Sequence, residues 1–222
     1  MGCLVALGRI HSSPGLLTKM AQTLVHIANS ALAACGCRRI VALTDPSREA
    51  RACNDQIQAS RKATLRMHKW NCATKRIVLT TVGLTPAFGF SYAHTLPDDF
   101  IRVHSVWDSG QIVDEACYRV EGLELLSNAT ELWLKYVYDL TQVTQFDPLL
   151  DEAVAYHLAW SIAPLVSASE TKRTQLYEDW QDALKRARFA DSTEDPAEEL
   201  DADVWIRART GVNSGFVRDP MT

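Results

Sequence analysis

No apolar run in the chain approaches the ~20 residues that a membrane-spanning helix needs, so no membrane association is expected. Glycine is sparse, ten in 222 residues. None of it forms a GxGxxG turn after a strand or a P-loop, so the backbone cradles for dinucleotides and nucleoside triphosphates are missing. There is also no GxSxG elbow and no HExxH helix. The six cysteines are Cys3, Cys35, Cys37, Cys53, Cys72 and Cys117. They are too few for a disulfide scaffold, and without a CxxC pair they do not space a zinc site. They read as free thiols of a reducing compartment. His68 and Cys72 lie one helical turn apart, but no further ligands accompany them. The six histidines form no spaced cluster, and His157, on an apolar helix face, reads as a core residue. No catalytic constellation, cofactor or metal site is expected.

What is present is an ordinary globular composition, 47% hydrophobic and 23% charged. That is enough apolar material for one principal core. The charge is unevenly spread. Residues 1–80 hold 12 Lys/Arg against 3 Asp/Glu, while residues 81–222 hold 11 against 24. The formal net of −4 is thus the difference between a strongly basic front and a strongly acidic remainder. Such asymmetry points to partner or self-assembly surfaces. Residues 1–19 read as an appended arm. Their apolar stretch is short and broken by Gly8 and Pro14, a poor signal peptide. Met-Gly-Cys resembles an acylation start, but Ala6 stands where myristoylation favours Ser or Thr.

Helical spacing begins at residue 21, with Leu24, Ile27, Ala28, Ala31, Leu32 and Cys35 on one face and Gly36 just beyond the end. Asp45-Pro46 predicts a cap and first turn for a second helix reaching Trp70. Its expected inward stripe is Ala50, Cys53, Ile57, Ala63, Met67 and Trp70. From residue 75 to 140 the pattern changes to short β-branched or aromatic segments between turn signals, which predicts a small antiparallel sheet. Gly122 marks a tight hairpin. Asp147-Pro148 restarts helical spacing, and Ser167 or Ser169 caps a last helix to about Ala190. Residues 191–203 carry seven acids and no base, and the large apolar residues that follow read as anchors. The expected fold class is α+β: a helical layer of four main helices, an inserted small antiparallel β lobe and an extended C-terminal tail. The expected boundaries are 1–19 for the arm, 20–74 with 146–190 for the helical domain, 75–145 for the lobe and 191–222 for the tail.

Two chemical alternatives come from the residues. Asp98-Asp99 and Glu121/Glu124 are acids of the type that a glycan hydrolase pairs, yet acids in a Pro-Asp turn and on a hairpin are usually solvated. Arg61, Lys62, Arg66, Lys69, Lys75 and Arg76 form a basic stretch of the kind a nucleic-acid-binding adaptor uses. No recognition motif accompanies it, and docking to another protein or self-association fits the acidic remainder better.

Four stretches carry a family resemblance: NSALAACGCRRIVALTDPSREARACND, HKWNCATKR, PAFGFSYAHTLPDDFIRV and FDPLLDEAVAYHLAWSIAPLVS. In this order and spacing they resemble the tail tubular protein A family, the head-to-tail adaptors of short-tailed bacteriophages. The resemblance spans residues 20 to about 206. Lys69 departs from a common Pro before Trp70-Asn71, and Cys72 from a common aromatic. The resemblance implies a structural virion protein without catalysis. It implies a ring of twelve subunits at the head-tail junction, between the portal protein and the tail nozzle protein. DNA would pass through the ring without sequence recognition. It implies that the helical layer builds the ring, that the β lobe faces the next tail component and that the C-terminal segment reaches the portal. Trp205, Ile206, Arg207, Arg209 and Phe216 are the expected portal contacts. A closed ring needs two complementary faces per subunit. Arg48, Arg51, Arg61 and Lys62 are expected to meet Asp179 and Asp182 of a neighbour.

Overall fold

The computed structural model describes residues 23–80, 86–166 and 169–194. The expected N-terminal arm, and the tail from residue 195 on, lie outside the described residues. The fold is α+β, with four helices and two small antiparallel sheets.

Helix α1 (Leu24–Cys35) begins where the Thr23 hydroxyl accepts a hydrogen bond from the His26 amide at 3.3 Å. Its buried residues are Ile27, Ala28, Ala31, Leu32 and Cys35, the expected face. Gly36 ends it in the left-handed region (φ +75°), and the next amide, from Cys37, donates to Leu32 O at 2.8 Å. Only a residue without Cβ takes that conformation cheaply.

Helix α2 (Arg48–Arg66) starts and ends inside the expected bounds. Asp45 is not its cap. Its carboxylate accepts from the Val41 and Ala42 amides, folding the preceding turn, and Ser47 caps the helix through Ala50 N. The buried stripe is Ala50, Cys53, Ile57, Ser60, Arg61, Thr64 and Leu65, with Ala52. Met67, expected inside, is 42% exposed. The error is one of phase: three polar residues occupy the inward positions of the second half. Trp70 is buried, but beyond the helix, where its indole N–H donates to Thr64 O at 3.1 Å.

Helix α3 (Pro148–Val166) opens on Pro148 as expected, with the Asp147 carboxylate accepting from Leu149 N. It is buried on several faces because α1, α2 and α4 all pack against it. Helix α4 (Glu170–Glu194) follows Ser169, whose hydroxyl accepts from Lys172 N. It runs past the expected end at Ala190, so the helical domain extends to Glu194. Its inward residues are Leu176, Trp180, Ala183, Leu184, Ala187 and Asp191, while Tyr177 is 40% exposed.

The lobe holds two sheets where one was expected. One has strand order β1 (Thr74–Thr80), β7 (Glu131–Tyr138), β3 (Phe100–Asp108), β4 (Gln111–Ile112). The other has the order β2 (Tyr92–Thr95), β6 (Glu124–Ser127), β5 (Tyr118–Glu121). Strands β2 and β4 are too short to show alternation in the sequence. Ser109-Gly110 joins β3 to β4 with both residues at positive φ, and Gly122 (φ +61°) turns β5 into β6. Two-residue hairpin loops favour such positive-φ turns. Between the sheets lies a second, smaller core of Leu79, Leu96, Val106, Leu125, Leu132, Leu134 and Tyr136.

Strand β7 serves both cores. Leu132, Leu134 and Tyr136 point into the lobe, whereas Val137 belongs to the helical core with Leu140, Val143 and Phe146. Just beyond β7, Asp139 receives the buried Arg61 guanidinium at 2.7 Å and Lys62 Nζ at 3.4 Å. Its amide donates to Asp99 O at 2.7 Å, and the Asp99 carboxylate takes Lys75 and the Tyr136 hydroxyl. A polar chain thus runs from α2 into the lobe. A buried charge that loses its partner is strongly destabilising. Asp139→Ala is therefore expected to cost about 3 kcal/mol in urea unfolding. Lys62→Ala, at the exposed end of the same cluster, should cost at most about 1 kcal/mol.

Candidate assembly surfaces

The residues expected to meet a neighbouring subunit divide sharply. Arg48 and Arg51 are exposed on the first turns of α2, with Arg51 reaching only its own Pro46 carbonyl at 3.3 Å. Arg61 corrects the expectation. It is 2% exposed and committed to Asp139 within the same subunit, so no neighbour reaches it. Lys62 is exposed but shares that carboxylate. On α4, Asp179 is partly exposed and Asp182 exposed. They border a shallow concavity of about 460 Å³ with Tyr156, Lys185 and Arg186. Lys185 lies 3.3 Å from Asp182, and Arg186 bonds Glu152 of α3 at 3.0 Å. The acidic patch is therefore short: Glu178, Asp179 and Asp182, followed one turn later by bases.

Helices α2 and α4 both pack on α3 and meet each other at their C-terminal ends. There Arg188 donates to Met67 O at 2.9 Å, and Asp191 binds His68 at 3.1 Å and the Asn71 amide at 3.1 Å. Their N-terminal halves present Arg48 and Arg51 on one helix and the acids near residue 180 on the other.

The basic stretch is largely used inside the subunit. Besides Arg61, Arg66 donates to Ile101 O at 2.7 Å, Lys69 to His104 O at 2.9 Å and Lys75 to Asp99 at 2.6 Å. These bonds clamp the end of α2 and the start of β1 onto β3.

A surface that the sequence reading passed over lies on the outer side of the larger sheet. Arg76, Val78, Trp107, Trp133 and Lys135 border a concavity of about 540 Å³. Val78 is 56% exposed and Trp133 45%, and Ile112 on the adjoining β4 is 53% exposed. The signal was available: in LWLKYVY every second residue turns outward, which places Trp133 and Lys135 on one face.

The residues weighed for chemistry are apart. Asp98, Glu121 and Cys117 are exposed, and Glu121 pairs in register with Glu124 across the β5–β6 hairpin. Burial raises the Asp99 carboxyl, but the bonds from Lys75 and Tyr136 outweigh it and hold the group below the usual range. It is thus an anion that orders the lobe. No group of three potential metal-ligating side chains occurs among the described residues. His68 faces Asp191 at 3.1 Å. Burial pushes the thiols of Cys35 and Cys53 up to about 11 and about 12, so they stay protonated. The expected portal contacts Trp205, Ile206, Arg207, Arg209 and Phe216 lie outside the described residues. No described helix is long and apolar enough to cross a membrane. No protein-family model and no curated protein matches the chain.

His157 lies in an aromatic cluster at the α3–α4 contact, 4.9 Å from Trp180 and 5.5 Å from Trp160 between ring centroids. Burial holds its pKa below the ordinary value of 6.5. The unfolded chain therefore takes up this proton at a higher pH than the folded one. The contribution of neutral His157 is present above 6.5 and is lost as the pH falls through and below that value. Asp151 acts the other way: burial raises its carboxyl, partly offset by His26, so its contribution grows as the pH falls towards 3.8. His157→Phe should flatten the loss of thermal stability as the pH falls below 6.5, and Asp151→Asn should not.

Proposed function

We propose that this chain is a structural subunit of a head-to-tail adaptor of the short-tailed-bacteriophage type. In this reading its copies form a ring, twelve by analogy with the family it resembles. The ring joins the portal to the tail nozzle at the head-tail junction of the virion. It extends the channel through which DNA is retained and ejected, without catalysis and without reading sequence. The observation that carries the proposal is the placement of opposite charges on separate elements of one helical layer. Arg48 and Arg51 project from the start of α2, and Asp179 and Asp182 from the middle of α4, each helix packed on the central α3. A ring contact is heterologous: one face of each subunit meets a different face of the next. Arg61 is removed from the contact set and Lys62 contributes less, since both already face Asp139.

The nucleic-acid reading is weakened by the same bonds. A basic helix whose lysines and arginines hold its own β lobe offers few phosphate contacts, and the steep salt dependence of such binding is not expected here.

The decisive measurement is the mass and symmetry of particles formed by the full chain with the portal, by native mass spectrometry and electron microscopy. A closed ring on the portal is expected; a chain that stays monomeric beside assembled portal overturns the reading. Within it, Arg48→Glu with Arg51→Glu should lower ring yield about tenfold, and Asp179→Arg with Asp182→Arg should restore part of it. The tail contact is tested by truncation after Glu194. An earlier cut after residue 192 would remove Thr193, whose hydroxyl donates to Phe189 O at 2.7 Å in the last turn of α4. The truncated chain should remain folded and lose portal binding.

A further inference from the structure

The outer face of the larger sheet combines two features that rarely stand alone on a surface. The first is a shelf of large apolar groups. Trp107 and Trp133 are in register on β3 and β7, Val78 is in register with Trp133 on β1, and Ile112 with Trp107 on β4. Both indole N–H groups are already bonded, to Ser105 at 3.0 Å and Glu131 at 3.2 Å, so the rings offer apolar area. The second is a like-charge pair. Arg76 and Lys135 stand directly opposite each other, and neither has an ion pair or side-chain hydrogen bond among the described residues. Like charges in register repel, and an anion between them would relieve both.

The chain itself carries the complementary pattern. Asp195, Glu198, Glu199, Asp201 and Asp203 precede Val204, Trp205 and Ile206. The exit point favours this occupant too. Helix α4 ends at Glu194, three residues past Asp191, which is bonded to Asn71. Asn71 lies shortly before β1, and Val78 follows it by about 23 Å at most at strand rise. Trp205 is eleven residues beyond Glu194, an extended reach of roughly 36 Å.

We propose that, in the free chain, the segment 195–206 docks on the outer sheet face of its own subunit. Its acids lie against Arg76 and Lys135, and Trp205 and Ile206 sit on the shelf formed by Val78, Trp107, Ile112 and Trp133. Two isolated cations beside a mostly apolar hollow suit an acidic segment with an aromatic anchor better than a polyanionic strand. The inference concerns the free subunit and does not rest on the adaptor reading. If that reading also holds, the same segment must leave the shelf to reach a portal.

The test places the photo-crosslinking residue p-benzoylphenylalanine at exposed position 78 of the full chain and maps the products by mass spectrometry. A crosslink to a peptide containing residues 195–206, at monomer mass, is the expected result. Arg76→Glu with Lys135→Glu should lower its yield about tenfold, with the circular dichroism spectrum unchanged. Crosslinks found only at dimer mass, only to other segments, or insensitive to the charge reversal overturn the proposal.

Discussion

Arg61 carries a full charge into a largely apolar helical layer, and the arrangement of both halves of the molecule follows from where that charge ends. Its guanidinium reaches Asp139, the first residue of the segment that returns the chain from the lobe to the helices. Isolated burial of such a charge is prohibitive, so α2 and the end of β7 must come together in one geometry. The Asp139 amide then fixes Asp99, and Asp99 fixes Lys75 and Tyr136 at the base of the sheet. A buried pair of this kind adds little net stability compared with apolar residues of the same shape. What it supplies here is a defined docking of lobe on layer.

The basic front of the chain has a different meaning once these bonds are placed. Arg66 and Lys69 donate to main-chain carbonyls at the two irregular steps of β3 and Lys75 to the Asp99 carboxylate, while Arg188 of α4 donates to the Met67 carbonyl at the end of α2. Positive charge near the C-terminal end of α2 also suits the helix dipole. Among the described residues, the cations at the start of α2 and on the outer face of the sheet, Arg48, Arg76 and Lys135, are not spent in this way. Charge asymmetry in the sequence could not separate cations that hold the fold together from cations that do not.

Legibility followed the same division. Helix α1 was readable to within three residues because its apolar spacing and glycine stop agree. Helix α3 was readable from Asp147-Pro148, which starts it. The second half of α2 was misread because Ser60, Arg61 and Thr64 turn inward, and an inward polar residue looks like a surface residue until its partner is known. That partner, Asp139, is 78 positions away. The split of the lobe into two sheets was hidden because β2 and β4 are short and β2 pairs with the distant β6. Arg48, Arg51 and Asp182 are exposed, as their polar sequence contexts suggest, while the apolar shelf went unnoticed although its period of two was visible.

That shelf follows from the way β7 divides its side chains. Alternate residues of one strand must face opposite ways. Leu132, Leu134 and Tyr136 fill the lobe, which obliges Trp133 and Lys135 to face outward. The helices cover that outer face at Val137 and go no further. A strand that only had to close the lobe would be served by threonine or a charged residue at position 133. A tryptophan there, in register with Trp107 on one side and Val78 on the other, adds no burial to either core. Its cost to the free subunit is exposed apolar area, and area of that kind on an otherwise well-packed domain is the mark of a surface meant to be covered.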